Sequence, residues 1–403
     1  MHLMRILFAD SFPEQFLPRL VGHTVDVQPT LEGDDLVSAI SPYQVLVVRS
    51  TKVGAAVLAA GENLELVIRA GAGTNTIDVK AAAERGIFVC NVPGKNAIAV
   101  AELTMGLIAS IDRRIPDNVA ALRAGEWNKK SFSKADGLAG KSLAIVGLGE
   151  IGLAVADRAV AFDMTVRVAD KAGRPRSSID RARQAGVIFV PDDETLLASA
   201  DIVSLHVPLI DSTRGLVNRD FLAKCQDGAW IINTSRGEVV NEPDLIEALD
   251  TRQMWAGLDV FDDEPAVAQG EFKSALARHP RVYGTHHIGA STEQAQNAIA
   301  EEVVAIVDRF VNGEITNCVN LVGTPLGTCT VAVRHLDKVG VLSEVFGVLR
   351  AAQVNIEQMN NQIFQGAVAA VATLRTSSAL SDEVVGQLRA LENVLGVTVQ
   401  TEE

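Results

Sequence analysis

Three polar segments, each behind an apolar run, hold the side chains best suited to chemistry on a small molecule. Asn233-Thr234-Ser235-Arg236-Gly237 follows the apolar WII, Gly257 to Pro265 reads GLDVFDDEP, and Thr285 to Ser291 reads THHIGAS. Together they offer an arginine, Arg236, a carboxylate, Glu264, and a histidine, His287. Oxidising a secondary alcohol removes a hydride from carbon and a proton from oxygen. An imidazole titrates in the right range to take that proton. A carboxylate on its other nitrogen fixes the tautomer, and a guanidinium can clamp a substrate carboxylate through two parallel hydrogen bonds. Taken singly, each has a plainer role: a surface ion pair for Arg236, a solvated acid for Glu264, a helix-start histidine for His287.

A fourth segment gives the triad an electron acceptor. Gly147-Leu148-Gly149-Glu150-Ile151-Gly152 follows the strand-like SLAIV and opens the helix-like IGLAVADRAVAF. Alone, this glycine spacing is a weak signal. Between strand and helix it implies a tight turn, close approach of main chain to a pyrophosphate, and a helix N-terminus facing the anion. Asp170 ends the next apolar run, where an acid can bind ribose hydroxyls and repel a 2′-phosphate, so NAD is the expected cofactor. Lys171 and Arg174 nearby weaken that preference.

The elements that must position these groups follow a β-turn-α rhythm. Met4 to Phe8, Val45 to Val48, Val67 to Arg69 and Phe88 to Cys90 read as buried strands of one parallel unit. The stretch from Ala97 to Trp127 has helical spacing interrupted by Pro116, which predicts a long or kinked bridging helix. A second, doubly wound sheet is predicted from Ser142 to Val146, Thr165 to Ala169, Val187 to Val190, Ile202 to His206, Trp230 to Thr234 and Gly257 to Val260. A strong helix then ends at Asn312-Gly313, and LVGTPLG reads as a linker. Beyond Thr328 the order is βαββαβ, a ferredoxin-like pattern.

Composition narrows the partners. The formal charge of -14, the lack of a basic tract and only 4% aromatics argue against a nucleic-acid or anionic-membrane surface. Cys90, Cys225, Cys318 and Cys329 show no metal-ligand spacing, so no metal is expected and the thiols are read as free in a reducing compartment. Without an h-region or an apolar run near 18 residues, the expected location is the cytoplasm.

The segments GLGEIG, LHVPL, NTSRG, GLDVFDDEP and HHIGAST, in this order, resemble the D-2-hydroxyacid dehydrogenase family. The resemblance implies catalytic roles for Arg236, Glu264 and His287, and places Asp259, His206 and Pro208 near the cofactor. It also assigns Glu150, Ile151, Thr213, Thr234 and Ser235 to the cofactor side. VVRSTKV, IRAGAGTNTID and NVPGKNAIAVAEL are similar to the phosphoglycerate dehydrogenase branch. That implies a substrate pocket at Arg49, Ser50, Lys52, Ala72 and Gly73, with Arg49 and Lys52 for a phosphate. The implied reaction is oxidation of D-3-phosphoglycerate to 3-phosphohydroxypyruvate, the first step of phosphorylated serine synthesis.

The implied organisation is a discontinuous substrate domain (1–95 and 287–322), an NAD-binding Rossmann domain (96–286) and an ACT domain (328–403). Both catalytic domains would be doubly wound parallel sheets. The ACT resemblance implies a possible amino-acid effector at His335, Asp337 and Asn355, and a homodimer or homotetramer. Asp337 stands where serine-sensitive relatives carry Asn, Val339 where Pro often stands, and His286 where Pro commonly precedes the histidine. Two rival functions remain: the same chemistry on another D-2-hydroxy acid, such as 2-hydroxyglutarate or glycerate, and an NAD-sensing partner-binding protein on the same scaffold.

Overall fold

A computed structural model describes residues 3–265, 269–323 and 326–401. Part of the expected linker, residues 324–325, lies outside them. Contacts divide the chain into two units, Met1–Asn320 and Leu321–Glu403.

The first unit holds two parallel sheets. β1 (Arg5–Phe8), β2 (Thr24–Val27), β3 (Val45–Val48), β4 (Leu66–Arg69) and β5 (Phe88–Asn91) form the first, in the order β2-β1-β3-β4-β5. Its strands pair in parallel throughout. β3 is the apolar run VLVV, buried at all four positions, as a strand covered on both faces must be. β2 has no such run; it is a half-exposed edge, and the sequence reading missed it.

β6 (Ser142–Val146), β7 (Thr165–Ala169), β8 (Ile188–Val190), β9 (Ile202–Leu205), β10 (Trp230–Asn233), β11 (Trp255–Leu258) and β12 (Val282–Gly284) form the second sheet. Its order is β12-β11-β10-β9-β6-β7-β8. The order reverses between β9 and β6, which opens a crevice at the carboxyl ends of the strands.

Two helix groups link these sheets. The bridging stretch is not one kinked helix but two helices, Ala97–Arg113 and Ile115–Arg123. Arg114, in the left-handed region at φ 48°, separates them, and Pro116 sits in the first turn of the second, where its missing N–H costs nothing. Helix Ala97–Arg113 joins the core of the second sheet through Ala101, Met105 and Ile108. Helix Glu293–Val311, capped by the Thr292 side chain, returns to the first sheet and buries Ile299, Val303 and Val307 against Ile6, Phe8 and Ile68.

The second unit is antiparallel. β13 (Cys329–Leu336), β14 (Ile356–Ile363), β15 (Ala369–Thr376) and β16 (Val394–Thr401) lie in the order β14-β15-β13-β16. Helices Val341–Ala351 and Asp382–Ala390 complete the βαββαβ order. β13 alternates buried and less buried positions, and Val345, Leu349, Val385 and Leu388 cover its apolar face.

Among the described residues no helix is long and apolar enough to cross a membrane. Among them, no cluster of three or more His, Cys, Asp or Glu side chains could hold a metal ion.

Candidate active site

A cleft of roughly 590 Å³ is lined from both parallel sheets. From the second come Thr234, Ser235, Arg236, Asp259 and His287; from the first, Arg69, Ala72 and Gly73. The side chains that were far apart in sequence meet here because parallel strands deliver their carboxyl ends to one edge.

His287 and Glu264 form a pair, with Nδ1 2.7 Å from Oε2. His286, its exposed neighbour, makes no such bond. The second Glu264 oxygen accepts the Phe261 N–H at 3.0 Å. Burial raises the Glu264 carboxyl, but these bonds and the charges of His287 and Arg236 outweigh it and hold it below the ordinary carboxylate range. Nδ1 is thereby committed, and Nε2 has no partner among the described residues.

Asp259 fixes the loop that carries His287. Fully buried, it accepts from Thr285 Oγ1 at 2.6 Å, Ile288 N–H at 2.8 Å and Gly289 N–H at 2.8 Å. Its carbonyl takes the His287 N–H at 2.8 Å. His287 itself sits at φ 52°, a left-handed conformation that costs a non-glycine residue energy. Both Asp259 carboxylate oxygens are thus engaged with the histidine loop, while the residue also lines the cleft.

Arg236 stands on a turn organised by Asn233, whose amide donates to the Arg236 carbonyl at 2.8 Å and whose oxygen accepts from Ser235. Its guanidinium lies against Gly73, where any Cβ would overlap it. Arg236 therefore reaches across to the glycine loop of the first sheet.

Arg69 was not singled out from the sequence. It ends β4 half-buried, and its Nε is shut off from solvent with no partner. Burial, then repulsion from Arg236 and Arg49, pulls its pKa down to about 10. The nearby Asp10 carboxylate, one oxygen of which accepts the N–H groups of Arg49, Ser50 and Thr51, offsets this only in part. Asn96 Oδ1 is a second buried, unpartnered polar atom at the cleft wall. The signal for Arg69 was present: a cation ending a buried parallel strand and opening a glycine loop, in IRAGAG.

Other expected substrate residues fare unevenly. Ala72 and Gly73 line the cleft, while Ser50 and Lys52 are exposed and do not. Arg49 contributes charge beside Arg69.

The glycine turn has the shape of an anion cradle. Gly147 has φ 103°, and a Cβ there would overlap the His206 carbonyl. A Cβ on Gly152 would overlap the Gly147 carbonyl. Helix Glu150–Ala161 begins at Gly149 with no side-chain cap, so its first N–H groups are free for a ligand. Ile151, His206 and Pro208 line the cleft beside it. His206 shares a bond with Ser204 Oγ at 2.8 Å, and its Nδ1 is buried without a partner. Burial pulls this imidazole down to about 3, so it stays neutral.

Asp170 stands exposed just past β7. The two cations beside it are held elsewhere: Lys171 pairs with Asp193 at 2.8 Å, and Arg174 donates to the Ala169 carbonyl at 2.5 Å. Two further expected cofactor residues have side chains bonded to other groups. Glu150 pairs with Arg181 at the surface at 3.2 Å, and the Thr213 hydroxyl is spent on the Pro208 and Ile210 carbonyls.

The expected effector residues do not meet within one chain. His335 is buried, with its nitrogens 2.7 Å from the Leu336 carbonyl and 3.3 Å from Asn361 Oδ1. It stands opposite Ala370, whereas Asn355 precedes Ile356, which stands opposite Thr376 at the other end of the sheet. Asp337 is exposed. Strand direction separates them: β13 and β14 run the same way, so the end of one cannot meet the start of the other.

The sequence profile of the "D-isomer specific 2-hydroxyacid dehydrogenase, NAD binding domain" matches residues 105–289. A hydroxypyruvate reductase from Thermotoga maritima is 43% identical over 276 residues, 68% of this chain and 87% of that protein. The chain belongs to the D-isomer specific 2-hydroxyacid dehydrogenase family. A D-3-phosphoglycerate dehydrogenase from Methanocaldococcus jannaschii is 40% identical over 328 residues, 80% of this chain but only 60% of that longer protein. An NAD+-bound 3-phosphoglycerate dehydrogenase from Entamoeba histolytica superposes with a TM-score of 0.64 at 26% identity, covering 79% of this chain and 99% of that one. As a family member the chain is an NAD-dependent dehydrogenase. The cradle of Gly147 and Gly152, the uncapped helix and Asp170 fit a dinucleotide with an unphosphorylated 2′-hydroxyl.

Proposed function

We propose that this dehydrogenase oxidises D-3-phosphoglycerate to 3-phosphohydroxypyruvate. Bound NAD supplies the hydride acceptor. The observation that carries the substrate choice is Arg69: a half-buried cation whose Nε has no partner, beside two more cations that outweigh the Asp10 carboxylate. A single substrate carboxylate satisfies Arg236. A second anion is needed to neutralise Arg69 and Arg49, and a phosphate on the far end of the substrate supplies it.

In this reading Arg236 and the main-chain N–H groups near Ala72 and Gly73 hold the carboxylate. His287 accepts the hydroxyl proton on Nε2. Glu264 holds the ring through Nδ1 and stabilises its charged form. Asp259 keeps the loop in register. Residues 1–95 and 287–322 serve the substrate and 96–286 the cofactor.

A second reading has its own support: the Thermotoga maritima relative is a hydroxypyruvate reductase, so an unphosphorylated three-carbon substrate competes. NADH formation with D-3-phosphoglycerate, D-glycerate and 2-hydroxyglutarate decides between them. A preference of about 100-fold in kcat/KM for the phosphorylated acid is expected, the worth of a charged pair with Arg69. Equal or better use of D-glycerate refutes the phosphate role.

We read the C-terminal unit as an ACT-type module, on its βαββαβ order. An amino-acid effector would need His335 of one chain and Asn355 of another, which calls for a homodimer or homotetramer. Adding L-serine to the same assay tests this.

A further inference from the structure

Cys90 and Cys318 face one another at the edge of the first sheet, outside the cleft. Residues 317–320 run antiparallel to β5. The Asn91 N–H donates to the Asn317 carbonyl at 3.1 Å and the Val319 N–H to the Val89 carbonyl at 2.8 Å. These bonds flank the two cysteines instead of joining them, so Cys90 and Cys318 form a non-hydrogen-bonded antiparallel pair. Such pairs bring Cα atoms to about 4.5 Å, with side chains closest of any register. A disulfide spans Cα separations of about 4.4–6.8 Å.

Each thiol lies within the other's electrostatic reach. Asn320 secures the segment: its amide donates to the Ile87 carbonyl at 2.7 Å, and its oxygen accepts the Val89 N–H at 2.9 Å. The same oxygen lies 3.1 Å from Cys318 Sγ. The other two cysteines have no such neighbour. Cys225 belongs to the core of the second sheet and Cys329 to that of the C-terminal unit.

We propose that Cys90 and Cys318 are a peroxide-responsive dithiol that closes to a disulfide. Cys318 is partly exposed and Cys90 buried, so Cys318 meets the oxidant first. Its thiolate attacks one peroxide oxygen; the O–O bond breaks, a sulfenic acid forms and one water leaves after protonation. The Cys90 sulfur then attacks the Cys318 sulfur, the S–O bond breaks and a second water leaves. Two thiols lose two electrons and two protons, and one hydrogen peroxide becomes two waters. Burial, then the neighbouring Cys318, pushes the Cys90 thiol up to about 12, so it waits protonated until a sulfenic acid appears beside it. The bond closes a long loop and fastens the last residues of the first unit to the sheet edge.

The test treats the full chain with one equivalent of hydrogen peroxide, alkylates the remaining thiols, and reads intact mass and a peptide map. Two of the four thiols should be lost. The mass before alkylation should fall by about 2 Da, as two hydrogens leave. One linked peptide should join Cys90 to Cys318 and part again with dithiothreitol. The oxidised protein should melt about 5 °C higher, because the unfolded chain is constrained. Cys318→Ser should keep its three remaining thiols at the same dose, and Cys225→Ser should still lose two. Four surviving thiols in the native chain overturn the proposal. So does Cys318 accumulating as sulfinic acid with Cys90 free, or a disulfide joining two chains.

Discussion

The two halves of the cleft handle negative charge by opposite means. In the proposed cofactor half the groups offered to an anion are main chain: Gly147, Gly149, Gly152 and an uncapped helix N-terminus, with Asp170 close by as an acid. In the proposed substrate half the groups offered to an anion are guanidiniums, and Arg69 is repelled by both Arg236 and Arg49. A main-chain cradle carries no net charge and is stable when empty. A cluster of cations is strained when empty, and part of the substrate's binding energy goes to relieving it.

The strongest test of that contrast starts from the chemistry both halves serve. His287→Ala should lower kcat by about 10²–10⁴-fold and leave NADH affinity, read by fluorescence titration, within about 2-fold. A comparable loss of NADH affinity would mean that the histidine loop belongs to the cofactor half and the division fails.

Arg69→Gln probes the cationic half directly. KM for D-3-phosphoglycerate should rise roughly 100-fold, with little change for D-glycerate. The empty protein should gain about 1 kcal/mol in stability, since a half-buried cation repelled by two others is gone. The pH dependence has a definite sign. Arg69 is a cation below its folded pKa of about 10, so substrate affinity should decline as pH rises through about 10, and Arg69→Gln should lose that decline. Unchanged melting and unchanged KM together would remove Arg69 from the substrate site.

Gly152→Ala probes the main-chain half. A Cβ must push against the Gly147 carbonyl, a backbone atom with little room, so NADH affinity should fall by 10-fold or more, roughly 1–3 kcal/mol of strain. Substrate KM measured at saturating NAD should move far less. The smallest expected effect is on cofactor choice. Asp170→Ala should improve use of NADP relative to NAD by about 10-fold, the worth of one removed charge repulsion. The gain stays modest while Lys171 remains paired with Asp193 and Arg174 with the Ala169 carbonyl. Release of Lys171 by Asp193→Ala should enlarge it.

The contrast also accounts for what was legible before the fold was known. A main-chain site writes itself in glycines, because only residues without a Cβ permit φ 103° at Gly147 or the close approach at Gly152. The parallel strands were legible for a related reason: strands covered on both faces must be nearly all apolar, as VLVV of β3 and, after Ser142, LAIV of β6 are. The half-exposed edge β2 has no such constraint and left no signature. Pro116 was visible as an interruption, but whether the chain kinks or restarts there depends on Arg114 taking a left-handed turn, which no spacing reveals.

By itself, then, the sequence determined the two parallel sheets, the dinucleotide cradle and the set Arg236, Glu264 and His287. In each case a local rule — burial on both faces, a glycine's freedom, a polar residue ending an apolar strand — leaves its mark on neighbouring residues. Only the tertiary structure decided that Glu264 pairs with His287 and not His286, that Asp259 holds the histidine loop while lining the cleft, and that Arg69 lines the cleft with its Nε buried and unpartnered. It also decided that Cys90 meets Cys318. Those are relations between strands separated by tens to hundreds of residues, set by register and by the competition of several donors for one carboxylate. Neither is written in the spacing of a chain.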